Sequence, residues 1–121
     1  MTETEKMGCL VHSLDKHLAK DIAVIDVKEI SSITDYFVFA TGGSNTQVKA
    51  LCDYVENDMA AAGVTPLRIE GYATARWILL DYGQVVLHIF LKEAREFYDL
   101  ERLWQDGKPV DITEYLETEG I

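Results

Sequence analysis

Three stretches of the chain repeat apolar residues at the spacing of an amphipathic helix. In the first, which covers residues 7 to 19, the apolar positions are Leu10, Val11, Leu14 and Leu18. The second starts at Ser44, a suitable N-cap that forms a capping box with Gln47, and it stops at Gly63. The third covers residues 93 to 104. The pattern therefore predicts three helices.

Five short runs rich in apolar and β-branched residues predict strands. They cover residues 22–27, 36–41, 67–70, 77–81 and 84–91. The first run is nearly continuous, which is typical of a strand buried on both faces. The order of the elements is α-β-β-α-β-β-β-α, and helices that alternate with buried strands favour an α/β fold. We expect a single layered domain with a five-stranded mixed sheet.

The last two predicted strands have two different faces. If Tyr82-Gly83 forms the turn, Trp77 lies opposite His88 and side chains alternate along each strand. One face is aliphatic and consists of Ile78, Leu80, Val85, Leu87, Ile89 and Leu91. The other face is mixed and consists of Trp77, Leu79, Asp81, Gln84, Val86, His88 and Phe90. Such a mixture is typical of the centre of an interface; the alternative is that a helix covers it and His88 is hydrogen-bonded in the core.

The charge of the chain narrows the range of partners. Its 121 residues include 21 acidic and 11 basic side chains, which gives a net charge of −10. Nucleic-acid backbones and anionic membranes are bound through Lys and Arg, so neither suits this chain. Basic proteins, cationic ligands and metal ions remain. Half of the net charge lies in residues 99–121, and we interpret residues 106–121 as a solvated acidic tail after a domain of residues 1–105.

Cysteine usage and the apolar runs indicate the compartment. Neither Cys9 nor Cys52 has a CxxC partner, and the first five residues are acidic and polar, unlike a signal peptide. The longest apolar run is far shorter than the roughly 20 residues that span a bilayer. These features predict a soluble, reduced, cytoplasmic protein.

The turn Gly42-Gly43-Ser44 raises the possibility of nucleotide chemistry. Nucleotidyltransferases follow such a turn with two acids, one residue apart on the next strand, which bind two metal ions. Glu56 and Asp58 have the spacing, but they lie inside a predicted helix, where residues two apart face different directions. The next strand offers only Glu70. We therefore expect no catalysis, metal or cofactor, and a metal-dependent nucleotidyltransferase-like enzyme is the alternative to a binding protein.

Long segments in a fixed order carry a resemblance to a known family. They are Asp21-Ile22, Ile25-Asp26-Val27, Ser31-Ser32-Ile33-Thr34-Asp35-Tyr36-Phe37-Val38, Ala40-Thr41-Gly42, Glu70-Gly71, Trp77-Ile78, Leu80-Asp81-Tyr82-Gly83, Val85-Val86-Leu87-His88-Ile89-Phe90 and Arg95-Glu96-Phe97-Tyr98-Asp99-Leu100-Glu101-Arg102-Leu103-Trp104. With them the chain resembles the ribosomal silencing factors, also called Iojap-like proteins, over residues 8 to 105.

The resemblance implies a specific function. Members of this family bind the fourteenth protein of the large ribosomal subunit, where the small subunit docks, and so lower translation when nutrients are scarce. Some assist large-subunit assembly. The resemblance further implies a non-enzymatic protein with a nucleotidyltransferase-like α/β fold, often a homodimer.

The mixed hairpin face is the expected contact surface. We expect Trp77, Leu79, Asp81 and His88 to contact the partner, with Tyr82 at the rim. Trp77 is the expected anchor, because a large ring in a pocket is the commonest hot spot. Asp81 is expected to pair with a basic residue of the partner. These roles are inferred from the face, and an open alternative is that the same face is the dimer interface.

Overall fold

The computed structural model describes residues 1–98 and 106–116. Within these ranges the helices are α1 (Glu3–Lys16), α2 (Asn45–Ala61) and α3 (Lys92–Tyr98). The strands are β1 (Lys20–Asp26), β2 (Tyr36–Gly42), β3 (Arg68–Glu70), β4 (Trp77–Asp81), β5 (Val85–Leu91) and β6 (Lys108–Pro109), and Thr113–Tyr115 form a 3-10 turn. No described helix is long and apolar enough to cross a membrane.

The described strands form one mixed sheet in the order β3-β4-β5-β2-β1-β6. Only β2 and β5 run parallel, and the other neighbours are antiparallel. Helices α1 and α2 pack together on the sheet, with α2 placed over β2, β4 and β5. The predicted single mixed α/β domain is confirmed, but the prediction of five strands is wrong because β6 adds a sixth. A nucleotidyltransferase-like fold stays a prediction.

Local capping explains where α1 differs from the predicted helix. It begins at Glu3 because Thr2 is an N-cap whose side chain accepts a hydrogen bond from the Glu5 amide, and Glu5 returns a bond to Thr2. It ends at Lys16. The prediction that Leu18 belongs to the apolar stripe is therefore wrong: Leu18 lies past the helix, has a φ of 67° and is 66% exposed.

The start of α2 agrees with the sequence prediction in part. Ser44 is the N-cap, and its hydroxyl accepts a hydrogen bond from the Gln47 amide at 3.1 Å. The side chain of Gln47 does not complete a capping box with Ser44; it accepts a bond from the Gly43 amide at 2.6 Å. Gly63, two residues past the helix, has the positive φ of a helix-terminating glycine.

Strand β1 is less buried than its apolar sequence predicts. Val24 is the only buried residue of the strand, and the first two residues of the strand, Lys20 and Asp21, are exposed. The reason is its position beside the short β6, which covers only Ile25 and Asp26. The apolar run therefore predicted the presence of the strand correctly, but the prediction that both of its faces are buried is wrong.

The C-terminal residues that the structure describes pack against the domain. Strand β6 pairs with β1, and the amide of Val110 donates to the carbonyl of Val24. The side chains packed on the core from this segment are Val110, Ile112, Tyr115 and Leu116. The acidic side chains Asp106, Asp111 and Glu114 are exposed, as a solvated stretch requires, while the four apolar side chains hold this segment against the domain. An acidic tail of residues 106–121 stays a prediction. The predicted helix 93–104 is seen as α3; its remainder, and the proposed boundary at residue 105, lie outside the described residues.

An aromatic face on the sheet

The sheet carries one side chain layer that we call the aromatic face, consisting of Phe37, Phe39, Trp77, His88 and Phe90. Strands β2, β4 and β5 supply it because side chains alternate along each strand and paired residues share a side. In the pairing, Trp77 lies opposite Phe90, Leu79 opposite His88, and Phe39 beside His88. The aliphatic residues between them point to the opposite side, towards α1 and α2, and form the core.

The pairing of the hairpin differs from the predicted register by two residues. The turn is Gly83-Gln84, and the Tyr82 amide donates to the Val85 carbonyl at 2.9 Å. Gly83 supplies the positive φ that a tight hairpin turn needs, and its amide donates to Asp81 at 2.8 Å. Because a shift of two preserves the alternation, the strand residues lie on the predicted sides although their partners differ. Gln84, predicted on the mixed face, lies in the turn instead, and Tyr82, predicted in the turn, joins the aliphatic side.

The centre of the aromatic face is buried, while one side of it reaches the surface. Phe39 and Phe90 are 1% exposed and His88 is 5% exposed. Phe37, Trp77 and Leu79 are half-buried. The rings are close: Trp77 lies 5.2 Å from Phe90, and His88 lies 5.4 Å from Phe39, each at a small interplanar angle. The expected contacts Trp77 and Leu79 therefore reach the surface from a closely packed, buried layer of rings.

A shallow cavity of about 210 Å³ adjoins the exposed side of this face. It is lined by Glu70, Gly71, Trp77 and Leu79. Gly71 has a φ of +83°, and a Cβ there would collide with the carbonyl oxygen of Trp77. The sequence Glu70-Gly71 therefore lets the backbone pass close to Trp77, which fixes one wall of the cavity.

Asp81 has intramolecular partners for both carboxylate oxygens. One accepts from the Gly83 amide, and the other lies 3.3 Å from Nε of Arg68. Arg68 also pairs with Glu70 at 3.3 Å. Asp81 therefore stabilises the end of the hairpin, and its role as a partner contact stays a prediction.

Tyr82 does not lie at the rim of the face, and this prediction is wrong. Its side chain is 3% exposed and belongs to the core on the helix side of the sheet. The alternation explains this position, since Tyr82 follows Ile78 and Leu80 on the same side of the chain. Its hydroxyl is buried without a hydrogen-bond partner among the described residues.

His88 is also not a surface contact, because it is buried. Its Nδ1 accepts a hydrogen bond from the indole N–H of Trp77 at 3.0 Å. Burial lowers the pKa of His88 to about 4, so the ring is neutral at neutral pH. For His88, the alternative to an interface contact, namely a buried histidine that is hydrogen-bonded in the core, is therefore correct.

Arg95 closes one end of the aromatic face and was not singled out from the sequence. Its guanidinium lies 6.0 Å from the ring centre of Phe39. One nitrogen donates to the Thr41 hydroxyl at 2.7 Å and to the Asp21 carbonyl at 2.6 Å. The sequence contained part of the information that locates Arg95, because Phe37, Phe39 and Thr41 alternate along one strand and therefore share a side of it. Which side of the sheet that is depends on the pairing of β2 with β5, which the sequence did not predict.

The described residues do not assemble the metal site of a nucleotidyltransferase. Asp58 lies in α2 and binds α1 instead: it accepts from Ser13 at 2.7 Å and lies 3.2 Å from His17. Potential ligand atoms of Cys52, Asp53 and Glu56 lie within 4.8 Å of one another. They share one helix and do not form a pair of carboxylates on a strand, and burial raises the pKa of the Cys52 thiol to about 12.

Comparisons with known proteins agree over nearly the whole chain. The family model described as "Ribosomal silencing factor during starvation" matches residues 1–120. The Ribosomal silencing factor RsfS of Halalkalibacterium halodurans is 36% identical over 112 residues, 93% of this chain and 96% of that protein. A mouse protein named "Mitochondrial assembly of ribosomal large subunit protein 1" is 36% identical over 98 residues, 78% of this chain and 43% of that protein.

Solved structures share the fold. A crystal structure of a Chromobacterium violaceum protein superposes with a TM-score of 0.84 at 36% identity and covers 87% of this chain and 88% of that chain. A Bacillus halodurans structure superposes with a TM-score of 0.80 at 34% identity and covers 89% of this chain and 98% of that chain.

Proposed function

The chain belongs to the ribosomal silencing factor family, and from that premise we propose that it binds the large ribosomal subunit and represses translation. In this proposal it docks on the fourteenth protein of that subunit and sterically prevents the small subunit from joining. The name of the mouse relative supports a second, related role in large-subunit assembly. The protein acts by occupancy in the cytoplasm and not by catalysis.

The observation that carries the proposed contact is the position of Trp77 and Leu79. Both are half-buried and line the same cavity. They share a face of the sheet with the rings of Phe39, His88 and Phe90, which are almost fully buried. A surface aromatic held by a rigid base loses little conformational freedom on binding, which favours a hot spot. We infer that Trp77 is the anchor and that Leu79 extends the apolar centre.

Charge supports the choice of a basic ribosomal protein as partner. The chain has a net charge of −10, and Glu70 lines the cavity beside the proposed anchor. Opposite charge accelerates encounter and aligns the two surfaces. Repulsion between the acidic chain and ribosomal RNA limits docking to the protein patch.

Sedimentation with purified large subunits tests this contact. We expect Trp77→Ala to weaken binding at least about 30-fold, the effect of a typical hot spot. Tyr54→Ala is the matched control, because Tyr54 is an exposed aromatic on α2, in the helix layer. Circular dichroism and urea unfolding establish that both variants fold.

Three results would contradict the proposal. A folded Trp77→Ala variant that binds like the wild type removes the aromatic face as the contact. A shift of that variant from dimer to monomer in light scattering, with ribosome binding retained, makes the face a dimer interface. Metal-dependent turnover of nucleoside triphosphates by the wild type revives the enzyme alternative.

A further inference from the structure

The hydrogen bond between Trp77 and His88 fixes the orientation of the proposed anchor. The indole nitrogen lies 3.0 Å from Nδ1 of His88, and the two ring centres are 5.9 Å apart. His88 is itself held by stacking on Phe39 and Phe90, at 5.4 and 6.1 Å. The contact joins strands β4 and β5 across the face, so the indole is attached to the buried centre of the sheet.

The chemistry of the two rings leaves one arrangement of protons. An indole nitrogen only donates, so Nδ1 of His88 must accept and the imidazole proton must reside on Nε2. A protonated imidazole has no acceptor and cannot form this bond. The burial of His88 keeps the ring neutral at the pH of the cell.

We propose that His88 is a positioning and specificity residue for partner binding. It holds the Trp77 ring in place, and it accepts the hydrogen bond of the indole N–H, which is the only donor of that ring. This inference rests on the proposed function. A partner pocket then meets the hydrocarbon edge and π-face of Trp77. It needs apolar or cationic groups there and no hydrogen-bond acceptor aimed at the indole nitrogen, which suits a basic protein.

A purely structural role for His88 makes a different prediction, and two variants separate the two roles. His88→Phe keeps an aromatic ring against Phe39 and Phe90 but removes the acceptor. His88→Asn removes the ring but places a carbonyl oxygen close to the position of Nδ1. We expect stability and binding to respond in opposite ways, because stability depends on the ring and binding on the acceptor.

The binding experiment compares these variants on large subunits. We expect His88→Phe to be the more stable of the two and to bind about five- to tenfold more weakly than the wild type, the value of one hydrogen bond. His88→Asn should recover most of that affinity despite its lower stability. Affinity that follows stability across the three proteins would overturn the specificity role.

Nuclear magnetic resonance of the free protein tests the hydrogen bond without any ribosome. The indole signal of Trp77 is identified by its loss in Trp77→Phe, and we expect it to exchange slowly and to shift in His88→Phe more than in His88→Asn. Long-range proton–nitrogen spectra should place the imidazole proton on Nε2. A proton on Nδ1, or a rapidly exchanging indole, would overturn the inference.

These two readouts separate the inference from the proposed function. If the wild-type protein fails to bind large subunits, the proposed function fails and the specificity role fails with it. The spectra of the free protein still decide whether His88 orients Trp77. If the protein binds but the spectra contradict the hydrogen bond, only the inference fails.

Discussion

Mild acid should destabilise this protein through His88. In the folded state burial lowers the pKa of this histidine from 6.5 to about 4, whereas the unfolded chain has the ordinary value near 6.5. Between these values the unfolded chain binds a proton that the folded protein does not. The free energy of unfolding therefore falls as the pH falls through this window, and the His88 contribution is fully present only above about pH 6.5.

The separation of the two pKa values sets the size of the effect. Each pH unit within the window is worth about 1.4 kcal/mol. Linkage then gives a loss of about 2 kcal/mol between pH 7 and pH 5, and about 3 kcal/mol by pH 4. Because His88 is 5% exposed, solvent screening takes little from this value.

Urea unfolding of the wild type and His88→Phe at pH 7, 6 and 5 measures the loss. Phenylalanine keeps a buried ring and does not titrate, so the difference between the two pH profiles isolates His88. The charged groups described near this face are Arg68 and Glu70 on β3, Asp81 on β4 and Arg95 on α3, and they are common to both proteins. Parallel profiles would refute the buried neutral histidine, and so would a larger loss in His88→Phe.

Three further predictions concern backbone conformation, helix packing and charge. Gly71→Ala should lower the free energy of unfolding by about 2–3 kcal/mol in urea titrations, because a Cβ at positive φ meets the Trp77 carbonyl. Ser13→Ala should cost about 1 kcal/mol by the same assay and raise the pKa of Asp58 in an NMR titration, since the Ser13 hydrogen bond is the main cause of its lowered pKa. Association with large subunits, followed by stopped flow, should slow markedly as salt is raised, because the chain carries a net charge of −10.

The regular elements and their faces were predictable from the sequence because they depend on local patterns. The run from Trp77 to Asp81 predicted β4 to the residue. Alternation alone separated the aliphatic side of the hairpin from the mixed side. Ser44 and Gly63 marked the limits of α2 because capping needs particular residues at particular positions.

The rest of the fold depends on contacts between distant residues. The register of the hairpin depends on which residue adopts a positive φ, and both Tyr82-Gly83 and Gly83-Gln84 are compatible with the composition. Strand β6 has two residues and no periodicity, and it exists as a strand only because β1 lies beside it. No local pattern predicts such a pairing.

For the same reason, the surface exposure of the expected contact residues was predicted only in part. Trp77 and Leu79 reach the surface as expected, whereas His88 is covered and Tyr82 faces the helices. The burial of His88 results from the parallel pairing of β2 with β5, which brings Phe39 beside it from a segment almost fifty residues away. Alternation within the hairpin predicts the side of the sheet but not what the neighbouring strand adds.

Sedimentation of the protein with separated ribosomal particles tests the central claim most directly. The protein is centrifuged with isolated large subunits, isolated small subunits and joined ribosomes. We expect it to pellet with large subunits, to remain in the supernatant with small subunits, and to be excluded from joined ribosomes. Binding to small subunits, or equal binding to joined ribosomes and free large subunits, would contradict a factor that silences translation by blocking subunit joining.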